Sequence, residues 1–177
     1  MGWYVLAAVI VLLLVVYGSW AARRLDRLHA RIDATAAGLG AQLRNRAMAA
    51  ALLADSGHLS RDAVAVLAPA AAVAAESPGL GHDREVVENA LSRALQEVAP
   101  TLRPDLPEVA AVVDASTRAS FARRFHNDAV RDVLVVRRRW VVRILHLAGH
   151  APRPAYFEVD DAPLAIANAH TVSAPYD

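Results

Sequence analysis

The sequence contains no cysteine and no lysine, and its 177 residues include only three Phe, four Tyr and three Trp. Without cysteine, disulfides, thiolate metal sites, iron–sulfur clusters and a cysteine nucleophile are excluded. Without lysine, Schiff-base chemistry and phosphate binding by a P-loop are excluded as well. Because aromatic side chains are so few, a hydrophobic core in this protein must consist mainly of Ala, Val and Leu.

The sequence also lacks an excess of charge of either sign. Nineteen basic side chains, all of them arginine, nearly balance 18 acidic ones, so no overall field points to a nucleic-acid partner. Hydrophobic residues make up 55% of the chain, and alanine occupies 39 positions. The length leaves room for one domain, and the abundance of Ala, Arg and Leu favours helix.

A long apolar run is present at the start of the sequence. Residues 2–22 carry no charged side chain, and about 20 helical residues cross a hydrocarbon layer of ~30 Å. The aromatic residues at its two ends match the interfacial belts of a membrane span; they are Trp3, Tyr4, Tyr17 and Trp20. A cleaved signal peptide is the alternative, but a charged leading region is missing and the run is too long. We predict a transmembrane anchor over residues 1–22.

Arginines follow the apolar run directly. Arg23 and Arg24 complete the predicted membrane-interface set, and Arg27 and Arg31 come next. The positive-inside rule counts such residues within about 15–20 positions of a span. It predicts a single-pass protein of the cell membrane whose remaining chain lies in the cytoplasm.

Capping and breaking residues divide the rest of the chain into four helices. The first is expected to end at Asp55-Ser56-Gly57, and Ser60 is expected to cap the second, which contains Pro69. Pro107 suits the first position of the fourth helix, and Gly149 suits its C-terminal cap. The expected helices cover approximately residues 23–54, 60–75, 83–98 and 107–148.

Short loops between these helices predict an all-α fold, an antiparallel up-down four-helix bundle over residues 23–149. The second and third helices are about half as long as the fourth, so a two-helix stalk is expected near the bilayer. Residues 150–177 are rich in proline and are predicted to form a loose, flexible C-terminal tail.

An arginine-rich segment lies where the fourth helix should return to the membrane face. Its basic residues and a tryptophan alternate with Val, Ile and Leu, as in segments that bind anionic lipid surfaces. The alternative is a solvated charged face on an ordinary helix. The candidate lipid contacts are Arg137, Arg138, Arg139, Trp140 and Arg143.

Residues 121–132 read FARRFHNDAVRD and resemble the LemA family, whose last long helix carries F-A-R-x-F-Y-N-D-A-V-x-x-Y-N. Similar family segments follow the same order at Glu88-Asn89, Pro104-Asp105-Leu106 and Tyr156-Phe157-Glu158-Val159. The chain departs from the pattern at His126, where the family has Tyr, and it lacks the L-I-P-N-L run after Arg46. The resemblance implies a divergent member with a membrane anchor and a long helical bundle, and it implies no reaction.

The signature region is also the most polar part of the fourth helix. One interpretation is a solvated face whose charges pair along the helix, and the other is a surface that recognises a partner. The candidate partner face consists of Phe121, Arg123, Arg124, Phe125, Asn127, Asp128 and Arg131.

Catalytic and metal-binding patterns are scarce. His146 and His150 are four residues apart, but Gly149 and the expected helix end lie between them, and no third ligand is placed nearby. No nucleophile elbow, glycine-rich phosphate loop or paired-carboxylate signature occurs. We expect no enzyme activity, no cofactor and no nucleic-acid partner.

The function expected from the sequence is a membrane-anchored, non-catalytic scaffold or adaptor for other membrane or envelope proteins. The first alternative is an organiser of anionic lipid surfaces that uses segment 137–143, with membrane lipid as its partner. The second is a sensor domain for a small molecule or metal. The oligomeric state is left open.

Overall fold

A computed structural model describes residues 2–138, 154–160, 164 and 166 of the chain. Within these residues the protein is all-helical and has no strand, which confirms the predicted fold class at this level. The helices are α1 (Gly2–Asp55), α2 (Arg61–Glu76), α3 (His82–Val98) and α4 (Pro107–Arg137), with one 3-10 turn at Ala99–Thr101.

The helix ends follow the local signals in the sequence. After α1, Gly57 adopts φ +76°, a left-handed conformation that glycine accepts without strain. Ser60 caps α2, because its hydroxyl accepts a hydrogen bond from the Ala63 amide at 3.2 Å. Pro107 is the first residue of α4, where its missing amide hydrogen costs nothing. These three predictions are confirmed.

Two glycines do not interrupt α1. Gly38 and Gly40 each lower helix propensity by about 1 kcal/mol relative to alanine, yet the helix is continuous through both. Leu39 lies between them and Leu43 follows three residues after Gly40, and these leucines are 0% and 3% exposed. Tertiary burial of these leucines therefore outweighs the local weakness.

The chain divides into two compact units. The first contains Met1–Ala36 and Phe125–Tyr156, and the second contains Ala37–Arg124 and Phe157–Asp177. In the first unit, Arg31 lies 3.3 Å from the Asp132 carboxylate, and Thr35 Oγ1 lies 3.4 Å from His126 Nδ1. From the first contact to the second, the residue number rises along α1 and falls along α4.

The core of the second unit draws on all four helices. Leu53 of α1, Leu67 of α2, Leu95 of α3 and Val112 of α4 are fully buried in one cluster. Burying such a side chain contributes about 1.5–3 kcal/mol. Alanines fill the spaces between them, as the composition predicts, and allow the helices to approach closely.

The C-terminal segment differs from its prediction. Phe157 is buried in a second cluster with Leu39, Leu43 and Ala119. The Glu158 amide donates a hydrogen bond to Glu85 Oε1, and the Asp160 amide donates one to Asn89 Oδ1, each at 2.8 Å. Residues 154–160 form no helix or strand. The prediction of a loose tail over residues 150–177 is nevertheless wrong for residues 157–160, which pack against the helices. The proline content predicts that this segment is not helical, but it gives no information about whether a buried aromatic ring attaches the segment to the helices.

The end of α4 lies partly outside the described residues. The structure describes this helix as far as Arg137, with Arg138 in a turn. The predicted continuation to residue 148 and the cap at Gly149 fall within residues 139–153, which are not described. The same holds for His146 and His150.

We expect the Ser60→Ala variant to lose about 1 kcal/mol of stability, because the first turn of α2 would lose the acceptor for the Ala63 amide. Urea unfolding of the full chain in non-ionic detergent measures this loss. Ser60→Asp keeps an acceptor at the same position and should remain near wild-type stability. Equal losses in both variants would contradict a capping role.

Candidate functional site

The apolar start of α1 is exposed in the structure. Gly2–Trp20 has a mean hydropathy of 2.2 with none of it buried. Among the described residues, this part of α1 is the one helical segment that is long and apolar enough to cross a membrane. Trp3 and Tyr4 are about three-quarters exposed at its first turn. Among the residues that the structure describes, none covers this apolar surface.

The other predicted interface residues lie together at the far end of this segment. The rings of Tyr17 and Trp20 have centroids 6.0 Å apart. The guanidinium of Arg24 lies 5.5 Å from the centre of the Trp20 ring, and Arg23 Nε donates to the Ser19 carbonyl at 3.2 Å. Amphipathic rings beside arginines are the arrangement typical of a membrane–water interface.

The predicted partner face on α4 combines exposed aromatic rings with charges that are partly paired. Phe121 in the second unit is 53% exposed, and Phe125 in the first unit is 63% exposed. The Arg124 guanidinium lies 5.9 Å from the Phe121 ring centre. Arg131 lies 3.2 Å from the Asp128 carboxylate, as the spacing predicts.

The remaining members of this face are less accessible. Arg123 and Asn127 are half-buried. Asp132, the neighbour of Arg131, is engaged by Arg31 of α1. The polar set on α4 therefore serves contacts within the protein as well as facing solvent.

Of the candidate lipid contacts, the structure describes two. Arg137 is the last residue of α4 and is half-buried, and Arg138 follows it and is exposed. Arg139, Trp140 and Arg143 lie outside the described residues.

A buried ionic cluster was not predicted from the sequence. Glu88 of α3 is 0% exposed and lies between two arginines that are almost as buried. Arg84 Nη2 is 2.7 Å from Glu88 Oε1, and Arg46 Nη1 of α1 is 3.4 Å from Glu88 Oε2. Arg46 Nη2 also donates to Ser92 Oγ at 2.8 Å, and Arg84 donates to the Ser77 carbonyl. The cluster ties α1 to α3.

Two opposing effects act on Glu88. Burial raises the pKa of its carboxyl above the ordinary value, and the positive charges of Arg84 and Arg46 offset part of that rise. Two guanidiniums face one carboxylate, so the cluster carries a net positive charge. The sequence held a weak indication of this cluster: positions 84, 88 and 92 share a helix face with Leu91 and Leu95, which places polar side chains on the buried face of α3.

A cleft of about 290 Å³ lies beside this cluster in the second unit. Arg46 and Ser92 form part of its wall, so the cleft and the cluster share two residues. Hydroxyl groups of α4 and the side chain of Arg124 form another part of the wall. The lining residues are Arg46, Ser92, Gln96, Val113, Ser116, Thr117, Ser120, Phe121, Arg124, Asp160 and Leu164.

His126 occupies the signature position where the LemA family has Tyr. It is 5% exposed in the first unit, and burial lowers the pKa of its imidazole. Thr35 Oγ1, 3.4 Å from His126 Nδ1, also bonds the Ile32 carbonyl at 2.9 Å. His126 is therefore a packed side chain within the first unit.

Metal ligands do not assemble among the residues described. No group of three or more His, Cys, Asp or Glu side chains in that part of the chain is placed to hold a metal ion.

We expect Glu88→Gln to destabilise the protein by about 3–5 kcal/mol, because it leaves two buried guanidiniums without their counter-charge. Denaturant unfolding of the full chain measures the change. Glu97→Gln removes an exposed carboxylate from the same helix and should cost less than about 0.5 kcal/mol. A Glu88→Gln variant as stable as the control would show that the cluster is dispensable.

Stability should fall as the pH is lowered below about 6.5, the ordinary value for histidine. Below that pH the unfolded chain binds a proton at His126, whereas the folded chain does not, because its His126 pKa is lowered. The stability that neutral His126 contributes is therefore lost as the pH falls from the unfolded to the folded pKa. His126→Phe should flatten the pH dependence of the melting temperature between about pH 7 and 5. Val86→Ala, which removes an exposed side chain that does not titrate, should leave the slope unchanged. An unaltered slope in His126→Phe would contradict the assignment.

No protein-family model, curated protein or solved structure matches this chain. The similarity to the LemA family therefore stays a prediction from residues 88–95, 104–106, 121–132 and 156–159.

Proposed function

We propose that this protein is a single-pass, membrane-anchored helical-bundle protein of the LemA type that acts as a non-catalytic scaffold or adaptor for membrane or envelope proteins. The observation that carries the proposal is the exposed apolar segment Gly2–Trp20 within a helix that continues to Asp55. No loop separates the proposed anchor from the residues of α1 that pack in the protein core.

The up-down topology is part of the proposal. The opposite progression of the contacts Arg31–Asp132 and Thr35–His126 supports an antiparallel pairing of α1 with α4 in the first unit. The core cluster to which all four helices contribute supports a bundle in the second unit. Helices paired in this way offer long, regular side faces, which suit docking of other helical proteins.

The partner surface that we propose is the exposed face of α4. Phe121 and Phe125 are four residues apart on this helix, and each leaves more than half of its side chain exposed. Aromatic residues and arginine supply most hot spots of protein interfaces. Arg124 and Arg131 lie on the same helix and provide charged donors.

The proposed location is the cell membrane with the helical part in the cytoplasm. Arg23 and Arg27 are exposed directly after the apolar segment, which supports this orientation through the positive-inside rule. The alternative, a lipid-surface organiser, depends on segment 137–143, of which Arg137 and Arg138 are described. It stays a prediction from the sequence.

The test is recovery of a partner from gently solubilised membranes of the native host. We expect the full-length chain to co-purify with a stoichiometric membrane or envelope protein. The double variant Phe121→Ala/Phe125→Ala should lose at least about tenfold of the recovered partner, because aromatic hot spots contribute roughly 2 kcal/mol each. Its melting temperature should change little, since both rings are largely exposed.

Val86→Ala is the matched control. It removes an exposed apolar side chain from α3 and should retain the partner. Recovery of this chain alone, or equal partner recovery with the double variant, would overturn the adaptor proposal.

A further inference from the structure

The cleft beside the buried ionic cluster has the chemistry of a ligand site. It lies in the second unit between α1, α3, α4 and the C-terminal segment at Asp160 and Leu164. Its volume of about 290 Å³ is close to the lower end of small-molecule pockets. At about 30 Å³ for each water-sized volume, it has room for a compact ligand of roughly ten heavy atoms.

Hydroxyl groups give the cleft a polar wall. Ser116, Thr117 and Ser120 of α4 line it, and Ser92 of α3 does so from another side. The Ser116 hydroxyl oxygen is shielded from solvent and has no hydrogen-bond partner among the described residues. This oxygen therefore does not face the open volume of the cleft. Since Thr117 Oγ1 already donates to the Val113 carbonyl at 2.9 Å, the α4 hydroxyl that we assign to a ligand is that of Ser120.

The charges of the cleft favour an anion. Arg46 is buried in its wall, where Glu88 and Ser92 hold its guanidinium in place. Arg124 is exposed at the lining and stacks over Phe121. Counting the described residues of the cleft and of the adjoining cluster, three guanidiniums (Arg46, Arg84 and Arg124) stand against two carboxylates (Glu88 and Asp160).

An apolar wall faces the polar groups. Val113, Phe121 and Leu164 contribute it, and the Phe121 ring offers a flat surface beside the Arg124 guanidinium. A ligand that is charged at one end and apolar or aromatic over its body would match both walls.

We propose that this cleft binds a small organic anion, a carboxylate or phosphate group on a compact apolar or aromatic body. The oxyanion is held by the Arg46 and Arg124 guanidiniums and by the Ser120 hydroxyl, and the body lies against Val113, Phe121 and Leu164. Such a ligand contacts α1, α3 and α4 at once, so its binding stabilises the packing of the second unit. The site is independent of the proposed anchor and of Phe125.

Binding is tested with the full chain in non-ionic detergent, using phenyl phosphate and benzoate as probes and neutral benzamide as their uncharged counterpart. We expect saturable one-to-one binding of at least one anion with a Kd of about 1 mM or tighter, a raised melting temperature, and at least tenfold weaker binding of benzamide. A preference between the two anions distinguishes a phosphate from a carboxylate ligand.

Variants on α4 locate the site. Arg124→Gln should weaken anion binding at least tenfold, and Ser120→Ala should weaken it without lowering stability in the absence of probe. Arg118→Gln is the matched control, because Arg118 is an exposed arginine of the same helix that pairs with Asp114 at 2.7 Å outside the cleft. Failure of both anions to bind, equal binding of benzamide, or equal effects of Arg124→Gln and Arg118→Gln would overturn the proposal.

Discussion

The second unit depends on one buried carboxylate. Removing Glu88 from water costs several kcal/mol, and the guanidiniums of Arg84 and Arg46 at 2.7 and 3.4 Å offset part of that cost. A core of alanine and leucine tolerates sliding of helices against each other, whereas an ion pair between α1 and α3 is satisfied at one register. The cluster therefore specifies which turns of these two helices meet.

The same stretch of α3 organises a second contact. Glu85 and Asn89, on either side of Glu88, accept hydrogen bonds from the backbone amides of Glu158 and Asp160. Phe157 places its ring beside Leu39 and Leu43 of α1. Helix α3 thus contacts α1 through a buried ion pair, and it contacts the C-terminal segment through side chains that accept hydrogen bonds from backbone amides. The cleft lies between these elements.

The proposed functions use surfaces of different chemistry. The start of α1 presents apolar side chains whose exposure is costly in water and favourable in lipid. The Phe121 and Phe125 rings of α4 are candidate contacts for a protein partner, and the cleft offers arginines and hydroxyls to an anion. Adaptor function requires no reacting group, so the absence of cysteine and lysine from the sequence is compatible with it.

Local chemistry in the sequence determined the helices and their ends. Asp55-Ser56-Gly57, Ser60 and Pro107 act on neighbouring backbone groups, and the uncharged run over residues 2–22 is apolar whatever surrounds it. Tertiary structure alone decided that Arg46 meets Glu88, 42 positions away, and that Glu85 receives the amide of Glu158, 73 positions away. Helical periodicity states which face a residue occupies; it carries no information about the distant segment that will pack there, because that choice depends on the shapes and charges of all four helices together.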